Sequence, residues 1–157
     1  MLALCRIDDR LIHGQVVIGW GVPLAVQHIV LVDDGVRASE WEQEIYRAAV
    51  PAHIGLEFAD RAEARQRIGD WARDPRRIFL LTGDVETMAD LVRHSAGAIA
   101  RVNVGAVHAG PGRRERLRYV YLSEAEGETL RRLAEAGTEV TAQDLPTTTA
   151  VPLNRLL

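Results

Sequence analysis

Near the start of the chain, the apolar segment Met1 to Leu4 leads into Arg6-Ile7-Asp8-Asp9-Arg10-Leu11-Ile12-His13-Gly14-Gln15-Val16-Val17. After Ile7 come two carboxylates, a guanidinium and an imidazole, then a glycine and an apolar run. Imidazole is nucleophilic at neutral pH, and its bond to phosphorus is labile enough to pass the group on. Arg10, three residues before His13, is able to grip two phosphoryl oxygens and offset charge in the transition state, or to pair with Asp8 or Asp9. Gly14 allows close backbone approach to a phosphate, and Gln15 offers backbone or side-chain donors. A carboxylate holding one ring nitrogen fixes the tautomer that frees the other. That role, together with support of the loop, is expected of Asp8, with Asp9 capping or bracing the turn. The pattern suits a histidine that holds a phosphoryl group, against the plainer reading in which His13 closes a turn. Transfer between positioned groups needs no metal in principle. A metal site would combine Asp8, Asp9 and His13, but no second histidine is suitably spaced.

Such a loop must be held by a strand before it and a helix after it. Strands are expected at Leu2 to Ile7, His28 to Val32, Ile54 to Phe58, Arg77 to Leu81, Ala98 to Val104, Leu117 to Leu122 and Glu139 to Gln143. Several are continuous apolar runs, as in parallel strands covered on both faces. Helices are expected from Gly14 to about Gly21, after Ser39 with Glu42 at capping-box spacing, from Arg61 to Ala72, from Asp84 to His94, and from Ser123 to Ala136. Trp41, Ile45, Ala48 and Ala49 fall on one face of the second helix. Ser123 and Glu126 repeat the capping box, and Gly137 suits a C-terminal stop. The alternation predicts one α/β domain over 1–157, a single open, mainly parallel β-sheet with helices on both faces. His13 then lies at the carboxyl edge of the sheet, where open α/β sheets bind ligands, with a helix N-terminus facing it.

Thr82-Gly83-Asp84 follows a strongly apolar strand and should reach the same edge, so Thr82 joins the phosphate-binding candidates. Asp33-Asp34 reads as a rim or capping pair. His28, His53 and His94 read as structural or solvated. His108 stands in the glycine-containing loop Gly105-Ala106-Val107-His108-Ala109-Gly110, within reach of a phosphoryl site or a partner, although a structural role leads. Arg114, Arg116 and Arg118 would share one face of a strand, as a solvated edge or a docking patch. Asp144 to Pro152 reads as an extended connection.

Composition narrows the rest. The chain has 157 residues, 22 acidic against 19 basic, for a formal charge of −3. This argues against a general nucleic-acid binder. The single cysteine, Cys5, has no internal partner, which suits a reducing compartment. No apolar run approaches a membrane span. The expectation is a cytoplasmic protein.

The run from Arg6 to Val16 resembles the active-site loop of the IIB component of the mannose/fructose/sorbose family of the sugar phosphotransferase system. Asn103-Val104-Gly105 and Tyr121-Leu122-Ser123-Glu124 resemble later segments of that family. The resemblance implies a transferase that accepts a phosphoryl group on His13 from a IIA phosphohistidine and delivers it to a sugar. The sugar would enter through membrane IIC and IID components, to which the chain would attach peripherally. It also implies that Arg10 steadies the phosphoryl group, and that the covalent phosphohistidine serves in place of any cofactor. The alternative is a regulatory module that is phosphorylated without serving transport. A homo-oligomer is compatible with this reading. Two departures from the family stand out: Ala106 where a second glycine is common, and Arg113 where lysine is frequent.

Overall fold

A computed structural model describes residues 1–157. Its main sheet has seven strands in the order β3-β2-β4-β1-β5-β8-β9. They are β1 (Leu2–Ile7), β2 (His28–Val32), β3 (Gly55–Ala59), β4 (Ile78–Thr82), β5 (Arg101–Val104), β8 (Glu139–Ala142) and β9 (Val151–Pro152). All neighbouring pairs are parallel except β8 and β9, which run antiparallel. The expected mainly parallel α/β sheet is therefore the architecture observed.

Side-chain alternation explains why β2 and β4 read as unbroken apolar runs. On one face Val30, Val32, Ile78 and Leu80 join a core of 25 buried residues. Helices α4 (Arg61–Arg73), α5 (Val85–His94) and α6 (Glu124–Glu135) complete that core. On the other face Ile29, Leu31, Phe79 and Leu81 meet a second core containing Val16, Val17, Trp20 and Val36. These come from α1 (Gly14–Val16), which continues as a π-helical segment over Val17–Gly21, and from α2 (Asp34–Arg37). Strands covered on both faces have no polar side to display.

Helix starts follow local chemistry. Asp60 with Glu63 and Ser123 with Glu126 form reciprocal capping boxes. Asp84 caps α5, Asp33 caps α2, and Ser39 accepts the N–H of Glu42 at the start of α3 (Glu40–Ala49). Gly137, at φ +104°, ends α6 in a conformation that costs other residues energy.

Three expectations are corrected. The stretch Leu117 to Leu122 is not one strand. It folds as the hairpin β6 (Arg114–Leu117) and β7 (Val120–Leu122), separate from the main sheet. Arg118 consequently sits in the turn, while Arg114 and Arg116 both reach Glu124, at 3.3 and 3.2 Å. The apolar face of α3 turns outward, with Trp41 74% and Ile45 49% exposed. The helix instead buries Gln43, whose amide donates to the carbonyls of Val36 and Arg37, satisfying the end of α2. The Asp144-to-Pro152 connection contains a turn closed by Thr148 on Leu145 before β9 begins.

Candidate active site

The crevice between β1 and β4 is a topological switch point. The chain leaves β1 for α1 on one face and leaves β4 for α5 on the other. Such points are where open α/β sheets hold ligands. The loop from Asp8 to His13 fills this position, beginning with the N–H of Asp8 on the carbonyl of Thr82 at 2.9 Å. It turns sharply through Leu11, at φ +59°, whose side chain lies against Gly83.

His13 is the N-cap of the helix and is exposed. Its Nδ1 accepts the N–H of Gln15 at 3.2 Å. That bond leaves the lone pair on Nδ1 and the neutral ring's proton on Nε2. The side-chain Oε1 of Gln15 accepts from Nη1 of Arg10 at 3.0 Å. One glutamine thus links the imidazole to the guanidinium.

Arg10 rests on Asp8 through two parallel bonds, Nε to Oδ1 at 2.9 Å and Nη2 to Oδ2 at 2.7 Å. Asp8, fully buried, also takes Nε and Nη2 of the buried Arg6 at 3.2 and 3.0 Å. Arg6 in turn donates to the side chain of Asn103 and to the carbonyls of Gln143 and Asp144 at 2.8 and 3.1 Å. Its guanidinium lies 4.6 Å from the centroid of the Trp20 ring, whose N–H donates to the Asp144 carbonyl at 3.0 Å. A cation over an aromatic face is favourable even when desolvated.

The electrostatics follow from this stack. Burial alone would raise the Asp8 pKa, but the hydrogen bonds and charges of Arg10 and Arg6 hold it below the usual carboxylate range. Burial lowers Arg6, which Asp8 opposes. The Asp8 hydrogen bonds raise Arg10.

The loop-supporting half of the Asp8 expectation agrees with the structure, since its Oδ1 accepts the Arg10 backbone N–H at 3.2 Å, and the ring-orienting half is corrected. Asp8 does not touch His13; the Gln15 N–H orients the ring, and Asp8 positions Arg10 instead. Asp9 does not cap the turn but braces it from the next loop, its N–H on the Ala106 carbonyl and its carboxylate receiving His108. Gly14 has open space around it. Thr82 is buried and its hydroxyl donates to the Asp84 carbonyl at 3.2 Å, so it does not present that hydroxyl to the edge. Gly83 is what reaches the loop there. Arg113 is tied to Glu126 at 3.0 and 2.9 Å and donates to the His108 carbonyl at 3.0 Å. His28 is buried against Glu57 at 3.2 Å, at the opposite end of the sheet.

Sequence reasoning missed Arg6, Asn103 and the Asp144 backbone as the base of the site. The available signal was an arginine inside an apolar strand two residues before an aspartate, a spacing that puts both side chains on one strand face. No group of three or more His, Cys, Asp or Glu side chains is arranged to hold a metal ion. No helix is long and apolar enough to cross a membrane.

The family model described as "PTS system sorbose subfamily IIB component" matches residues 2–157, and the chain belongs to this family of sugar phosphotransferase components. It is 30% identical over 146 residues to the Escherichia coli "N-acetylgalactosamine-specific phosphotransferase enzyme IIB component 1", covering 92% of this chain and 91% of that one. It is 27% identical over 147 residues to an E. coli "PTS system mannose-specific EIIAB component", covering 94% of this chain and 45% of that longer protein. The crystal structure of the IIBSor domain of the sorbose permease from Klebsiella pneumoniae superposes with a TM-score of 0.90 at 25% identity, over 99% of this chain and 96% of the other. IIB components are phosphotransferases that act with IIA and membrane IIC and IID components.

Proposed function

We propose that this chain is the phosphoryl carrier between a IIA phosphohistidine and a sugar entering through IIC and IID components, working at the cytoplasmic face of the membrane. The observation that carries this reading is the Nδ1 of His13, unprotonated and aimed at the helix N-terminus, with Arg10 linked to it through Gln15. In loading, the Nδ1 lone pair attacks phosphorus in line. The N–P bond to the donor imidazole breaks, and its electron pair returns to the donor. The Gln15 N–H, released from Nδ1, becomes a donor to a phosphoryl oxygen, and the positive end of the helix favours the dianion. Arg10 keeps one N–H free on each terminal nitrogen after binding Asp8 and Gln15. Those protons stabilise charge on the transferring group without first reorganising.

The phosphoryl relay tests this reading. Given phosphoenolpyruvate, the general transferase, the histidine carrier and IIA, the chain is expected to gain acid-labile phosphohistidine. Label undiminished in His13→Ala would exclude the site. Arg10→Gln is expected to slow loading by about 10²–10³-fold, the scale of losing one preorganised charge-stabilising donor. Its circular dichroism should stay native. N-acetylgalactosamine is the first sugar to offer, given the E. coli relative.

A further inference from the structure

The carrier reading leaves one imidazole at this edge unused. The N–H of Asp9 donates to the Ala106 carbonyl at 2.8 Å. Its carboxylate receives two groups from a single residue, the His108 backbone N–H at 2.7 Å and His108 Nδ1 at 2.5 Å. With the Nδ1 proton committed to the carboxylate, the neutral ring's lone pair lies outward on Nε2, and the side chain is 70% exposed. The loop is built onto the active-site segment: Ile7 pairs with Val104 across the β1–β5 ladder, and Gly105 donates to the Ile7 carbonyl at 2.7 Å. Neighbouring strands run about 4.8 Å apart. His108 therefore stands beside the loop whose next functional residue, four past Asp9, is His13.

The two half-reactions differ in one proton. Loading exchanges one N–P bond for another and removes none. In unloading, a sugar hydroxyl attacks phosphorus, an O–P bond forms, the N–P bond breaks, and its electron pair returns to His13 Nδ1. The hydroxyl proton must then go to a base. Asp8 cannot serve, because it is buried and both its oxygens are occupied by guanidiniums. The Asp144 carboxylate is turned to Arg10, with Oδ1 3.8 Å from Nη2. A carboxylate-oriented imidazole with its outer nitrogen free is a general-base arrangement. We propose that His108, oriented by Asp9, is the general base of the unloading step, its Nε2 taking the proton of the sugar hydroxyl. This rests on the carrier reading and deepens it. Asp9 is a positioning residue. The other charges near the ring are Arg113 on the His108 carbonyl, Glu126 which holds Arg113, and Asp84 beyond it.

The experiment separates the two steps. Wild type, His108→Asn, His108→Gln and Asp9→Asn are loaded from IIA, then chased with vesicles bearing IIC and IID and with N-acetyl-D-galactosamine, D-mannose or L-sorbose. Asparagine offers an N–H close to where Nδ1 stands and so keeps the Asp9 clamp, but it has no base at the outer position. Loading of His108→Asn is expected at the wild-type rate, and unloading about 10²–10⁴-fold slower. Glutamine is expected to be slow as well, since it restores an outward amide but no base. Unloading of His108→Asn at the wild-type rate overturns the proposal, and so does a parallel loss of loading, which marks a structural clamp. A wild type that loads but discharges to none of the three sugars removes the step and the proposal with it, leaving the loading half of the carrier reading intact. A wild type that never loads overturns the carrier reading itself.

Discussion

A carboxylate with no exposed surface between two guanidiniums determines how the reactive loop responds to change. Removing the Asp8 charge would leave Arg6 buried beside Arg10 without a counterion. Asp8→Asn is therefore expected to cost about 3–5 kcal/mol, read from the urea midpoint. The folded pKa of Asp8 lies below its ordinary value. Its contribution is accordingly complete above the unfolded pKa and is lost as pH falls through the folded one. Wild type should lose stability on the acid limb, and Asp8→Asn should show a shallower limb there. Cys5 sits in β1, the strand that leads into this loop, and burial pushes its thiol up to about 12. It should resist aromatic disulfide reagents in the native protein and react at once in denaturant. At this scale the sequence was legible for where His13 and Arg10 stand, in one loop at the carboxyl edge of the sheet. Asp8 and Asp9 were not, because which of two adjacent carboxylates faces inward depends on strand register and on residues about a hundred positions away, Asn103 holding Arg6 and His108 holding Asp9.

Among the elements, the close approach of β5 to β1 carries the tightest constraint. A methyl group on Gly105 would run into the Arg6 guanidinium and the Asp8 carboxylate. Gly105→Ala is expected to destabilise by about 1–3 kcal/mol, the usual cost of overpacking, and to slow loading by displacing Arg10 through Asp8. Thermal melting and the relay assay read the two effects together. Ala106 fits beside it without strain, since its φ is not positive. Helix boundaries at Asp84, Ser123 and Gly137 were legible because capping is local chemistry. The hairpin at Arg114 to Leu122 was not. Its turn at Arg118 and Tyr119 lacks the glycine or asparagine that usually marks one, and alternation alone continued the strand through it.

For the whole molecule, alternating apolar runs and helical segments were sufficient to read the parallel sheet, because burial on both faces leaves a strong signal. The order of its strands was not legible, since it depends on which helix crosses which face. The outward apolar stripe of α3 has a consequence for how the protein opens. Whereas α5 buries six residues, α3 buries only Gln43, and its Tyr46 meets Phe58 of the edge strand β3. Few apolar contacts mean a low free energy of local opening. Amide exchange is therefore expected to release deuterium-accepting sites along Glu40–Ala49 well before those of Val85–His94, with β1, β4 and β5 last. An exchange order with α5 ahead of α3 would contradict this gradient. The protein would then breathe at the margin farthest from β5 while the three strands beneath His13, Arg10 and His108 stay closed, so that fluctuations of the outer helix leave the reacting groups in register.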